Sequence, residues 1–126
     1  MSARERDPTE PVRSLDEDGE VVGELPDLSD ERLVEMYRNM RLARHFDRRA
    51  VSLQRQGRMG TYPPLAGQEG AQVASAIALG EDDWLLPSYR EHVATHLRGV
   101  SLSRTLSYWM GDERGNSAAP DVDVFP

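Results

Sequence analysis

The sequence predicts a mainly α chain forming one modest domain, with at most one short strand. Three observations carry that expectation. Leu33, Met36, Tyr37, Met40, Ala43, Phe46, Ala50 and Leu53 recur at intervals of three and four, the spacing of one apolar helix face. A small-residue run over 71–79, Ala-Gln-Val-Ala-Ser-Ala-Ile-Ala-Leu, stops at Gly80. Two further short apolar-periodic segments end at Gly99 and Gly111.

Residues 1–28 mix Pro8, Pro11, Pro26 and Gly19 with many acids and few apolar groups. That is too little burial to offset the entropy of ordering, so this stretch reads as an acidic disordered or loosely docked tail. Ser29 is the natural N-cap of the first helix and Gly57 its stop, which gives a helix of about 25 residues. Arg38, Arg41, Arg44, Arg48 and Arg49 fall mostly off its apolar stripe. Two glycines and two prolines over 57–64 exclude regular structure and predict an exposed, shaped loop. The helix over 71–79 is alanine-rich, which permits close approach of a neighbour. Pro87 biases Leu86 away from helix, so 84–86 reads as a short extended segment after the acidic turn at 81–83. Helices are then expected over 89–97 and 101–110, followed by a loop-like end from 115.

Composition narrows the chemistry. The chain has no cysteine, which excludes a disulfide framework, a thiol nucleophile and a zinc–thiolate site. All 15 basic residues are arginine, so Schiff-base catalysis and a P-loop lysine are also excluded. Acid-rich, lysine-free composition fits adaptation to high salt. A net charge of −7 argues against nucleic acid as partner, and no run approaches the length of a membrane span. The mixed-charge start at Met1 is not a secretory signal, so a soluble cytoplasmic protein is the expectation.

The charge is unevenly placed. Residues 1–35 carry −8, residues 36–104 carry +4, and the remainder carries −3. A basic middle in an acidic chain serves either an anionic ligand or acidic partner, or arginines paired within the chain.

The ordered set Gln54-Arg55-Gln56-Gly57-Arg58, Thr61-Tyr62, Gly67-Gln68-Glu69-Gly70, Asp83-Trp84, Pro87-Ser88-Tyr89-Arg90-Glu91 and Tyr108-Trp109-Met110-Gly111-Asp112-Glu113 resembles a known family. It is similar to the N-terminal part of the alpha subunit of thiamine-diphosphate-dependent 2-oxo acid dehydrogenases, of pyruvate or branched-chain type. The resemblance covers residues 29–126. It implies oxidative decarboxylation of a 2-oxo acid with acyl transfer to a lipoyl group, and the partners it implies are a beta subunit and a lipoyl-bearing acyltransferase component.

The resemblance implies that Tyr89 and Arg90 reach the cofactor diphosphate. A guanidinium fork matches phosphate oxygens, a phenol adds a neutral donor, and a helix beginning there would add free N–H groups. The competing reading packs Tyr89 and pairs Arg90 with Glu91 or Asp83. In the family, Mg2+ and diphosphate are held chiefly by a Gly-Asp-Gly segment and a later Asn-containing segment, and this sequence contains neither. Gly111-Asp112-Glu113 lacks the second glycine, so Asp112 is assigned no metal role. No residue is assigned a catalytic role: the glutamate that activates the cofactor comes from the beta chain, and Glu69 is expected to brace its own turn. His92 and His96 lie one helical turn apart, but no third metal ligand is evident and capping or solvent-facing roles compete. His45 is expected to be packed or exposed.

The resemblance therefore makes 29–126 an incomplete helical N-terminal part of an α/β fold whose parallel sheet would lie downstream, inactive alone. The alternative is a non-catalytic helical interaction module that binds a beta-type or full-length alpha subunit.

Overall fold

The computed structural model describes residues 11–116. Helix α1 (Asp30–Arg55) begins where Ser29, extended at φ −69° and ψ 157°, accepts a hydrogen bond from the Arg32 backbone N–H through its hydroxyl at 3.3 Å. Asp30 and Glu31 in the first turn complement the helix dipole. Gln56 closes the helix and Gly57 takes φ +70°, the left-handed turn that glycine adopts without strain.

The apolar stripe of α1 is used unevenly. Ala43, Phe46, Ala50 and Leu53 are buried, whereas Leu33, Val34 and Tyr37 are exposed and Met36 and Met40 only half-buried. The other helices pack against the second half of α1 and leave most of its first turns in solvent, a distribution that periodicity alone does not contain.

Helix α2 (Glu69–Ala78) packs on α1, and α3 (His92–Leu97) packs on α2. Ala43, Leu65, Val73 and Val93 form one core cluster between them, flanked by Met36, Met40, Ile77 and Leu97. Leu65 and Val73 are fully buried, worth about 1.5–3 kcal/mol each relative to exposure. Helix α4 (Leu102–Trp109), capped by the Ser101 hydroxyl, lies against a second cluster. There Phe46, Ala50, Leu53, Met59 and Tyr62 meet Leu102, Leu106 and Trp109.

The loop expected over 57–64 to be exposed instead folds inward. Met59 and Tyr62 enter the α4 cluster, and the following Leu65 enters the α2–α3 cluster, because the glycines and prolines around them let the chain double back. The segment 84–86 belongs to no named strand, although Leu85 at its centre takes part in an isolated bridge, and the described residues contain nothing longer than such bridges, Leu15 to Val21 among them. The mainly α expectation therefore holds for the described residues.

Two elements depart from expectation. Helix α3 starts at His92 rather than 89, because the Glu91 carboxylate accepts hydrogen bonds from the Ser88 and Arg90 N–H groups and holds 88–91 as a turn. A short helix α5 (Glu113–Asn116) follows α4 where a loop was expected. Gly115 permits it: a Cβ there would lie 2.2 Å from the Tyr108 nitrogen. Residues 1–10 of the expected tail, and the expected loop beyond 116, lie outside the described residues. Among the described residues, no helix is long and apolar enough to cross a membrane.

Candidate functional site

Tyr89 and Arg90 sit on the turn between the extended segment 84–87 and α3. Their backbone is fixed from several sides. The Gln72 side chain on α2, 6% exposed, donates through Nε2 to the Arg90 carbonyl at 3.0 Å and accepts from the Val93 N–H at 3.2 Å. The His92 N–H also donates to the Arg90 carbonyl at 2.9 Å, and Glu91 accepts from the Arg90 N–H at 3.2 Å. Arg90 Nη1 donates to the Pro64 carbonyl, which ties this turn to the 57–68 loop.

The side chains themselves stay available. Tyr89 is 61% exposed, and its hydroxyl has no hydrogen-bond partner among the described residues. The Arg90 guanidinium stacks over the Tyr89 ring at 5.3 Å from the centroid, a cation–π contact that keeps the two groups together. Neither expected competitor is seen: Arg90 forms no ion pair with Glu91 or Asp83. Instead both Asp83 and Glu91 serve the backbone, Asp83 accepting from the Gly80 N–H at 2.8 Å. The expected helix-terminus donors are engaged instead: Glu91 accepts from the Ser88 and Arg90 N–H groups before α3, and at its start the His92 N–H donates to the Arg90 carbonyl and the Val93 N–H to Gln72.

Behind the turn lies a buried polar layer. Asp47, 3% exposed on α1, accepts from the Tyr62 hydroxyl at 3.0 Å and from the Leu65 N–H at 2.7 Å through one oxygen. Burial, reinforced by the Asp47 charge, raises the Tyr62 phenol above its ordinary range, so it stays a neutral donor. The His92 ring stacks on Tyr62 at 5.2 Å and meets Trp109 edge-on at 5.8 Å. Burial lowers the His92 pKa, against an opposing hydrogen bond to the Pro63 carbonyl at 3.3 Å. His92 is thus a packed core residue. His96 points its Nδ1 at the Val100 carbonyl at 2.9 Å, and His45 is exposed. Among the described residues, no three metal-ligating side chains converge.

Glu69 braces its turn as expected: Arg44 Nε donates to one carboxylate oxygen and the Gly67 N–H donates to the other at 2.9 Å. The Arg44 hydrogen bond leads the effects that hold the Glu69 carboxyl down to about 2. Asp112 is held at about 2 by the neighbouring Arg114 side chain, a local pair and not a ligand set.

A model for the dehydrogenase E1 component family matches residues 37–123, well over half of the chain. The chain belongs to this family. It is 46% identical over 118 residues to the pyruvate dehydrogenase E1 component subunit alpha of Staphylococcus epidermidis, and 45% identical over the same length to the Staphylococcus aureus protein of that name. Each match covers 92% of this chain and 32% of the relative, so the chain spans about a third of the length of these curated relatives. The resemblance to dehydrogenase alpha subunits read from the motifs is thereby borne out.

Within this E1 segment, sequence reasoning missed Asp47, Gln72 and Arg98. Asp47 was findable: it falls on the stripe of Ala43, Phe46 and Ala50, where a charge without a partner would be costly. Arg98, whose guanidinium donates to the Gly80, Glu81 and Asp83 carbonyls, gave no signal because its partners are backbone atoms.

Proposed function

We propose that this chain forms part of the alpha subunit of the decarboxylating component of a pyruvate-type 2-oxo acid dehydrogenase complex, with Tyr89 and Arg90 holding the diphosphate of thiamine diphosphate. The observation that carries this reading is the Tyr89–Arg90 turn, held by several hydrogen bonds and carrying an exposed phenol beside a half-buried guanidinium with N–H groups to spare, in a chain 46% identical to a pyruvate dehydrogenase alpha subunit.

The donor set fits the group. Arg90 keeps guanidinium N–H groups beyond the one given to Pro64, and the Tyr89 hydroxyl is unengaged. A phosphate oxygen pair takes a guanidinium fork, and a neutral phenol adds a hydrogen bond without adding charge. When bound, thiamine diphosphate supplies the nucleophilic carbon for decarboxylation, chemistry that no side chain of this sequence provides. The chain's own part is to place two donors. Gln72 and Glu91 fix the backbone so that little conformational entropy is lost when Arg90 engages an anion.

In this reading the beta subunit completes the site and supplies the activating glutamate, a lipoyl-bearing acyltransferase receives the acyl group, and the setting is cytoplasmic. Mg2+ ligands come from outside the described residues, and this chain alone neither holds the cofactor nor turns over substrate.

The test is a graft. The matching segment of the Staphylococcus aureus alpha subunit is replaced by this chain, and the chimera is purified with its beta subunit. The expected result is assembly and thiamine diphosphate binding, with affinity falling by about tenfold or more in Arg90→Leu, the worth of a charge-assisted hydrogen bond. Assembled chimera whose affinity is indifferent to Arg90→Leu would overturn the assignment.

A further inference from the structure

A single peptide group joins Arg90 to the buried carboxylate of α1. The peptide between Pro64 and Leu65 is gripped from both sides: its carbonyl accepts from Arg90 Nη1, and its N–H donates to Asp47 Oδ1 at 2.7 Å. No peptide bond of the described residues is cis, so this N–H and this carbonyl point in opposite directions. Asp47 on α1 and Arg90 before α3 therefore stand at the two ends of one line of carboxylate, peptide and guanidinium.

The loop is built to hold that line. Pro63 and Pro64 have fixed φ and no N–H, so the backbone groups they offer are their carbonyls. The Pro63 carbonyl meets His92 Nε2 at 3.3 Å, and the Pro64 carbonyl meets Arg90. On either side of the two prolines, the Tyr62 hydroxyl, at 3.0 Å, and the Leu65 N–H are pinned by the same Asp47 oxygen. Asp47, Tyr62 and Leu65 are all buried, so these bonds act in a low dielectric.

A carboxylate on the N–H side polarises the amide and makes its carbonyl the stronger acceptor for a cation on the other side. The consequence differs from that of an ion pair. A carboxylate set directly on Arg90 would neutralise the guanidinium and compete with an anion for it. Glu91 and Asp83, close by in sequence, are spent on backbone N–H groups instead. The Pro64 carbonyl takes one guanidinium N–H and leaves the charge and the other N–H groups for phosphate oxygens.

We propose that Asp47 is a positioning residue for Arg90: through the Pro64–Leu65 peptide, its carboxylate aims the guanidinium at the diphosphate without touching the cofactor. The aim rests on the cofactor reading of Arg90, whereas the coupling of Asp47 to Arg90 belongs to this chain alone.

Nuclear magnetic resonance of the isotope-labelled 126-residue chain reads that coupling with no cofactor present. Asp47→Asn keeps an acceptor of the same shape and removes the charge. It is expected to speed hydrogen exchange of the Arg90 guanidinium by about threefold or more. In the other direction, Arg90→Leu is expected to move the Leu65 amide proton upfield, as a weakened hydrogen bond does, with helicity unchanged by circular dichroism. In the chimeric alpha–beta assembly, Asp47→Asn is expected to raise the thiamine diphosphate Kd by about threefold or more, and to add nothing in the Arg90→Leu background. A merely structural loss would weaken binding equally in both backgrounds. Guanidinium exchange indifferent to Asp47→Asn, a Leu65 amide unmoved by Arg90→Leu, or an affinity change that persists in the Arg90→Leu background overturns the proposal. Where Asp47→Asn fails to fold, the Leu65 amide in Arg90→Leu decides it. An Arg90→Leu chimera of unaltered Kd refutes the cofactor reading alone, and the exchange and amide signals still decide the coupling.

Discussion

Replacing Asp47 by alanine strikes the junction on which both core clusters depend. One Asp47 oxygen accepts from the Tyr62 hydroxyl and from the Leu65 N–H, and Leu65 is fully buried while Tyr62 is nearly so. Asp47→Ala leaves both donors without an acceptor in the interior. Each buried unsatisfied group costs about 1–3 kcal/mol, so the expected loss is about 2–6 kcal/mol. That is a large share of the roughly 5–15 kcal/mol typical of a folded domain. Tyr62→Phe removes only one donor and is expected to cost about 1.5–3 kcal/mol, since its acceptor is a carboxylate. Because Trp109 packs edge-on against Tyr62 at 6.4 Å, its fluorescence reports on the same region. Urea unfolding followed by far-ultraviolet circular dichroism and, with Trp84 replaced by Phe throughout so that Trp109 is the sole emitter, by tryptophan emission measures all three proteins and the double variant. Asp47→Ala costing less than about 0.5 kcal/mol, or strictly additive single and double changes, would refute the claim that this carboxylate organises the loop.

Glu69 is depressed in the folded chain from 4.5 to about 2, so the stability it contributes is complete above about pH 4.5 and is lost as pH falls toward 2. Glu69→Gln is expected to flatten that acid limb of the stability profile, measured by denaturant unfolding at a series of pH values. Gly115→Ala drives a Cβ into the α4 backbone and is expected to lift α5 away, read as lost hydrogen-exchange protection over 113–116 with the core unchanged. Ser29→Ala removes the α1 cap and is expected to cost about 1 kcal/mol, felt as faster exchange in the first turns of α1, which most of the core does not support.

Local chemistry made the helix boundaries readable. Ser29 and Ser101 cap α1 and α4 as their positions announce, and Gly57 and Gly111 end them with positive φ. The start of α3 was not readable from periodicity, because the Glu91 side chain competes with the helix for the backbone N–H groups before it. Nor could spacing show that Leu33 and Tyr37 stay exposed while Ala43 and Phe46 are buried: that depends on where α2, α3 and α4 land. The α5 contact at Gly115 is backbone against backbone and leaves no side-chain pattern to read. At the candidate site, motif order pointed to Tyr89 and Arg90, but Gln72, which holds their turn from α2, acts across 18 residues of sequence through a side-chain amide that no periodicity marks.

In the proposed reading, Arg90 is a positioned donor that engages a diphosphate. Isothermal titration of thiamine diphosphate with Mg2+ into the chimeric alpha–beta assembly, with Arg90 intact and as Arg90→Leu, measures that directly. The predicted result is a rise in Kd of about tenfold or more with unchanged assembly and melting temperature. A Kd within about twofold of the unsubstituted chimera, in a variant equally well folded, contradicts it.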